Sequence, residues 1–350
     1  MIRIAAIPGD GVGPAVVREA LRVAEAAAGA RRVELDVEEF PHSADHYLET
    51  GETLGEAALA RLRDEFDAVL LGAVGDPRVP GDEHARDLLL GLRSRLDLYV
   101  NFRPVRLRAP DLTPLRDPGA GIDFVIFREN TEGLYVQAGG NLREGEPDEV
   151  AVSESLATRR GVERLVRAAF EHAGKTGRRR VTLGDKANAV PHVYGLWRRV
   201  FAEVAGDFPG VEAEARYVDA LAMEMVRAPD RFDVVVAENL LGDILSDLGA
   251  ELAGGVGMAP SANLHPGRHG LYEPVHGSAP DLAGTGRANP VAAILSAALL
   301  LRDHGAGEAA DRIEAAVDRS LAEGIRTPDV GGDRSTGEVG RWIADRVRAG

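Results

Sequence analysis

Short runs of apolar residues recur along the chain, and each stops at a cluster of polar ones. IRIAAI at 2–7, FDAVLLGAVGD at 66–76, IDFVIF at 122–127, VTLGD at 181–185 and RFDVVVAEN at 231–239 are brief and read as buried strands. Between them the apolar positions return with a helical period. PAVVREALRVAEAAAG at 14–29 predicts a helix with Pro14 in its first turn and Gly29 as its C-terminal cap. DLLLGLRSRLDLYV at 87–100 predicts another. GVERLVRAAFEHAG at 161–174 places Val162, Leu165, Val166, Ala169 and Phe170 on one helical face, and VAAILSAALLL at 291–301 reads as a buried helix. The alternation is that of an α/β protein without internal repeats. LYEPVHGSAPDLAGTGRANP at 271–290 keeps neither period and predicts a long structured loop, of the kind that compact domains usually retain for function.

A chain of 350 residues with 45% hydrophobic content can bury a substantial core, as two domains or one large α/β unit. Its formal charge of -15 offers no broad attraction to nucleic acid or anionic lipid. The tract Gly177–Arg180 is too short to reverse that and reads as a solvated turn before a strand. The absence of cysteine excludes disulfides, iron–sulfur clusters, thiolate zinc sites and cysteine nucleophiles. The start MIRIAAIPGD reads as a first strand rather than a signal peptide, and VAAILSAALLL is half a bilayer span. A cytoplasmic location, with no membrane partner, is the expectation.

The strand-like runs end at PGD, GAVGD, RENTEG, DKAN and AENLLGD, and ligands of open α/β sheets bind outside the carboxyl ends of strands. The first loop carries glycines at 9, 11 and 13 with Pro14 at the third position of a dinucleotide fingerprint. That spacing favours a tight turn lining a cleft over a pyrophosphate cradle. Asp219, Asp243 and Asp247 supply carboxylates, the last two four apart on a predicted helix and therefore on one face. Their mutual repulsion suits a divalent cation, and oxygen-only ligands favour magnesium or manganese; a solvated acidic face is the alternative, disfavoured by the apolar setting LLGDILSDLGAEL. Arg93, Arg95, Arg103 and Arg128 predict an anionic, polycarboxylate substrate, with surface ion pairing as the alternative. Lys186 and Tyr135 are candidate proton-transfer groups. Asp281 can accept hydrogen bonds from ribose hydroxyls while repelling a 2′-phosphate.

PGDGVG, RENTEG, DKAN, NLLGDILSDL and EPVHGSAPD, in that order over nearly the whole chain, resemble the metal-dependent β-decarboxylating 2-hydroxyacid dehydrogenases. These include the 3-isopropylmalate, isocitrate, homoisocitrate and D-malate or tartrate enzymes. The resemblance implies an α/β fold of the isocitrate/isopropylmalate dehydrogenase type, not a true Rossmann fold, with the active-site cleft between two domains. Residues 1–98 with 253–350 would form a discontinuous first domain holding most of the NAD site. Residues 99–252 would form the second, with dimer contacts and the metal and catalytic residues. Carried over by motif, Arg93, Arg103 and Arg128 bind the malate carboxylates. Asp243 and Asp247 bind Mg2+ or Mn2+, joined by the partner subunit's copy of Asp219, which also lies by the substrate. A partner-supplied Lys186 helps remove the hydroxyl proton, and Tyr135 protonates the enol left by decarboxylation. His276, Gly277, Ser278, Ala279, Pro280, Asp281 and Asn289 hold the cofactor. Asp281 stands where NADP-dependent relatives tend to carry lysine, which implies NAD. A homodimer with shared sites follows.

Substrate choice in this family depends on the helix before Arg93. The serine and asparagine typical of isocitrate enzymes are replaced by Asp87 and Leu89, and the arginine typical of homoisocitrate enzymes by Leu90. Leu89 and Leu90 resemble the leucine pair that contacts the isopropyl group of 3-isopropylmalate, although D-malate enzymes look similar there. RENTEGLYVQAGGNLREG is closer to the D-malate and tartrate group, whereas DKANAV and VDALAMEMV lean towards isopropylmalate. The expected reaction is oxidative decarboxylation of 3-isopropylmalate to 4-methyl-2-oxopentanoate and CO2, with D-malate or tartrate as the alternative. A non-catalytic regulatory subunit or a nucleotide-binding protein is the alternative of another class, disfavoured by retention of both proton-transfer candidates.

Overall fold

A computed structural model describes residues 1–349, in two compact units. The first comprises Met1–Leu98, Arg106–Arg116 and the chain from Ala250 onward. Its strands β1 (Ile2–Gly9), β2 (Leu35–Glu39), β3 (Ala68–Ala73), β11 (Pro260–His265) and β12 (His269–Pro274) lie in the order β2-β1-β3-β12-β11. All pairs here are parallel except the β11–β12 hairpin. β3 is buried along its whole length, which explains its unbroken apolar run: a parallel strand covered on both faces has no polar side.

Helices of this unit are α1 (Gly13–Ala30), α2 (Ala44–Thr50), α3 (Glu56–Asp64), α4 (Glu83–Arg95), α9 (Val291–Asp303), α10 (Gly307–Ala322) and α11 (Thr336–Ala349). Pro14 sits in the first turn of α1, but Gly29 lies inside the helix and Arg31 caps it, because the chain keeps helical geometry two residues further than a glycine signal suggests. α9 is buried on nearly every side, as VAAILSAALLL predicts. The 87–100 run is not one helix: α4 ends at Arg95, Asp97 turns the chain with a φ of +51°, and a strand follows. Leu271–Pro274, expected within the long loop, instead pair with β11. The segment Arg106–Arg116, expected with the second domain, belongs to the first unit, where Arg108 pairs with Glu314 and Asp318 of α10.

The second unit holds β4 (Val100–Arg106), β5 (Asp123–Glu129), β8 (Arg180–Asp185), β9 (Glu212–Tyr217) and β10 (Val234–Ala237), in the order β4-β5-β10-β8-β9. Its helices are α5 (Arg159–Thr176), α6 (Pro191–Ala205), α7 (Val218–Arg227) and α8 (Asn239–Leu252). The predicted face of α5 is buried in full, its start capped by Thr158 and its end by the left-handed Gly177. Arg178 and Arg180 after that cap pair with Asp123 and Glu212, so the arginine tract is spent on its own unit. A separate hairpin, β6 (Gly139–Leu142) with β7 (Val150–Ser153), is exposed along both strands. Among the described residues no helix is long and apolar enough to cross a membrane.

The first glycine loop is a packing device. Asp10 N and Val12 N donate to Ala73 O and Ser278 O at 2.7 and 2.8 Å, bringing three chain segments into backbone contact. Gly11 has a φ of +57°, and a Cβ there would lie 2.0 Å from Ser278 O. The buried Asp10 carboxylate completes the joint, accepting from Ala44 N, Gly75 N and His84 Nε2 at 2.6, 2.8 and 2.8 Å. Gly11→Ala is therefore expected to lower the thermal midpoint, by an amount equivalent to roughly 1–3 kcal/mol. Melting curves followed by circular dichroism test this, and an unchanged midpoint would contradict it.

Candidate active site

All five polar motifs fall at carboxyl ends of parallel strands: Gly9, Ala73, Glu129, Asp185 and Ala237 are the last residues of β1, β3, β5, β8 and β10. Three elements of the second unit bring charged side chains together there. Arg128, near the end of β5 and 2% exposed, donates from Nε and Nη2 to Asn239 Oδ1 at 3.0 and 2.8 Å and from Nη1 to Asp243. The Tyr135 hydroxyl donates to the other oxygen of Asp243 at 2.9 Å, and the Arg128 guanidinium lies 5.5 Å from the Tyr135 ring centroid. Arg103 of β4 donates from Nη1 to Ser246 Oγ at 2.7 Å and stands 3.4 Å from both Asp243 and Asp247.

The i,i+4 spacing of Asp243 and Asp247 thus becomes one acidic face on α8, met by two guanidinium groups. Burial holds the Tyr135 phenol above its ordinary range, with the Asp243 charge adding to the shift and Arg128 opposing it. Desolvation also raises the Asp247 carboxyl, against the pull of Arg103 and with a push from Asp243. Two carboxylates one helical turn apart form an all-oxygen donor set that suits a hard divalent cation. Asp219 does not join them within one chain: it accepts from Lys186 Nζ at 2.7 Å, a bond that holds its carboxyl below the usual range. Among the described residues no three His, Asp or Glu side chains converge as a metal site.

In the first unit, α4 carries the adjacent Leu89 and Leu90 and, one turn on, Arg93, with both leucines half-buried. Arg93 donates from Nη2 to Glu273 Oε1 at 2.8 Å, an oxygen also held by Asn263 Nδ2 at 2.8 Å, while its buried Nε has no partner among the described residues. Arg95 leaves the arginine group, pairing with Glu56 and bonding Leu54 O; here surface ion pairing prevails. Asp87 turns to Thr53 and to the Leu54 amide.

The 276–281 segment is a loop with Ser278 buried, Asp281 exposed and Ala279 at a φ of +41°. His276 bonds Gly277 O from Nδ1, and burial pushes its imidazole below the ordinary range. Asn289 accepts from Val291 N at 3.0 Å at the start of α9 and donates to Asp329 at 3.0 Å. Asp10, Glu238, Asn239, Glu273 and Asn101 were not singled out from sequence, although all but Asn101 lie inside the quoted motifs. For Asn239 and Asn101 the available signal was closeness in sequence to Asp243 and to Arg103, whose Nε donates to Asn101 Oδ1 at 3.0 Å.

Comparisons with known proteins give the family and the fold. The family model described as isocitrate/isopropylmalate dehydrogenase matches residues 3–343. The chain is 47% identical over 349 residues to a 3-isopropylmalate dehydrogenase of Thermobifida fusca (strain YX), covering 99% of this chain and 98% of that one. It is 49% identical over 348 residues to a 3-isopropylmalate dehydrogenase of Frankia casuarinae, with 99% of each chain covered. The crystal structure of isocitrate dehydrogenase from Methylococcus capsulatus superposes with a TM-score of 0.91 at 38% identity, over 99% of this chain and all of the other. A β-decarboxylating dehydrogenase from Thermococcus kodakarensis gives 0.80 at 40% identity, over 100% and 97%. With its motifs at the strand ends and its paired aspartates opposite two arginines, the chain belongs to the isocitrate/isopropylmalate dehydrogenase family.

Proposed function

We propose that this chain oxidises and decarboxylates 3-isopropylmalate to 4-methyl-2-oxopentanoate and CO2, using NAD and Mg2+ or Mn2+. The observation that carries the reading is the convergence of Arg103, Arg128, Tyr135, Asp243 and Asp247 at the strand ends of one unit. The names of the relatives support the substrate, and outweigh the lean of RENTEG towards D-malate.

A cation held by Asp243 and Asp247 would polarise the C2 oxygen and stabilise the negative charge left when CO2 departs. NAD would accept the C2 hydride. Arg93, Arg103 and Arg128 fix the malate carboxylates through their planar donors. Lys186, supplied by the second copy of the chain and poised by Asp219, would assist removal of the C2 hydroxyl proton as the carbonyl forms. The C3–carboxylate bond then breaks, and Tyr135 delivers its phenolic proton to C3 of the enol; the raised affinity of that phenol for its proton keeps it in the acid form before the step. Leu89 and Leu90 receive the isopropyl group, whose burial is worth about 2 kcal/mol. That is equivalent to roughly a 30-fold preference over unsubstituted malate.

Assembly as a homodimer is part of the proposal. Leu142, Val150 and Val152 on the exposed hairpin, with Met223, Val226 and Ile244 on α7 and α8, are large apolar side chains left open to water. Such a concentration in one unit suits contact with a second copy.

Initial rates of NADH formation on 3-isopropylmalate, D-malate, tartrate, isocitrate and homoisocitrate test the assignment, with 3-isopropylmalate expected to lead by at least about tenfold. Inactivity on 3-isopropylmalate would refute it. Tyr135→Phe and Lys186→Met are each expected to lower kcat by roughly 10²- to 10⁴-fold with unchanged circular dichroism; near-normal turnover in either would remove that residue from proton transfer. Exposed Asp281 predicts that kcat/KM for NAD exceeds that for NADP, and comparable values would overturn the ribose assignment.

A further inference from the structure

Beneath Tyr135 the second unit buries a carboxyl group that the proposed chemistry does not use. Glu238 lies between the end of β10 and the start of α8 and is 2% exposed. Its Oε2 accepts two long bonds, from the Tyr194 hydroxyl of α6 at 3.4 Å and from the Leu241 amide at 3.3 Å. Its Oε1 is buried with no donor among the described residues. A buried polar atom left this poorly satisfied needs a reason for being there.

The reason lies in what rests on it. A Cβ on Gly133 would come within 2.2 Å of Glu238 Oε1, so the bare Gly133 Cα is seated against the carboxyl group. Gly133, with a φ of +91°, opens the short turn Leu134–Val136 that presents Tyr135. The neighbouring Asn239 ties down the same stretch, donating to Glu132 O at 2.9 Å while receiving Arg128. On the far side, Tyr194 belongs to the helix that follows the Lys186 loop, and burial together with the Glu238 carboxyl keeps its phenol protonated and able to donate.

We propose that Glu238 is a positioning residue for Tyr135: wedged between the Gly133 turn, the Tyr194 hydroxyl and the first turn of α8, it sets the distance of the phenol from Asp243 and from the reacting C3. The inference rests on the proposed role of Tyr135 as proton donor. Glu238 acts by its shape, so Glu238→Gln keeps the wedge and retains activity. Glu238→Ala leaves a void under Gly133 and lets the turn sink. Displacement of a reacting group by about 1 Å costs up to roughly 100-fold in rate.

The test is rapid-mixing measurement of NADH formation with 3-isopropylmalate, NAD and Mg2+ on the full-length enzyme, with melting curves alongside. Hydride transfer precedes protonation by Tyr135, so Glu238→Ala should form NADH in a burst approaching one per site at close to the wild-type rate. Its steady-state kcat should then be roughly 10- to 100-fold lower, with KM changed less than about twofold and Glu238→Gln near wild type. If Glu238→Ala does not fold, Glu238→Asp, one methylene shorter, decides by the same readout. An unchanged kcat, or an equal fall in burst and steady-state rates, overturns the positioning role, as does a Gln variant as damaged as the Ala variant. A wild-type enzyme inert on every malate overturns the proposed function and this inference with it, whereas an active wild type with unaffected variants overturns this inference alone.

Discussion

Charges can be buried only in company, and that requirement organises the second unit. Arg128 is almost wholly buried and Arg103 nearly so; either one alone in a strand-end environment would be prohibitively costly. Asn101 of β4 accepts from Arg103 Nε, but Asn239, Asp243, Ser246 and Asp247, which also meet these guanidinium groups, come from α8. The helix must therefore begin where β10 ends and present one particular side to β4 and β5. Gly242 marks how close that approach is: a Cβ there would lie 2.7 Å from Arg128 Cγ. The groups that neutralise Asp243 and Asp247 in the free chain are also those best shaped to receive a substrate's carboxylates. In the proposed function the same pairing serves stability before binding and recognition afterwards.

The first unit solves a different problem, close passage of backbone past backbone. Strand β1 gives way to α1 through glycines that let Ala73 and Ser278 carbonyls occupy space a side chain would need. Asp10 then joins the loop to Ala44, Gly75 and His84. His84 opens the helix that carries Leu89, Leu90 and Arg93, so one buried carboxylate links the glycine loop to the helix proposed to choose the substrate. A buried acceptor with three donors at 2.6–2.8 Å is stiff, and stiffness is what a hydride-transfer geometry needs from its supports.

Much of the site was legible because its local parts are written contiguously. The four-residue spacing of Asp243 and Asp247 makes them share a face in any helix, and the apolar runs locate the strand ends that carry the motifs. The arginines show the limit of such reading. Arg95 and Arg93 are two residues apart on one helix, yet one is spent on Glu56 at the surface and the other meets Glu273, 180 residues away in sequence. Asn289 likewise sits in a segment that the resemblance ties to the cofactor, while its side chain accepts from the Val291 amide and donates to Asp329. Which pairings form depends on what the fold brings opposite each side chain, and no periodicity encodes that.

By itself the sequence determined the α/β alternation, the buried character of β3 and α9, the amphipathic face of α5 and the family to which the chain belongs. These depend on periodicity and motif order, which survive without knowledge of any partner. Tertiary structure alone decided that Asp219 turns to Lys186 rather than to Asp243 and Asp247 within one chain. It also decided that Leu271–Pro274 pair as a strand instead of a loop, and that Arg106–Arg116 join the first unit through α10. The physical reason is that hydrogen bonds and ion pairs are short-ranged, so their energies exist only once the backbone has brought the partners within reach, whether across a local hairpin or, as for Asp219 with Lys186 and Arg108 with Asp318, from remote parts of the chain.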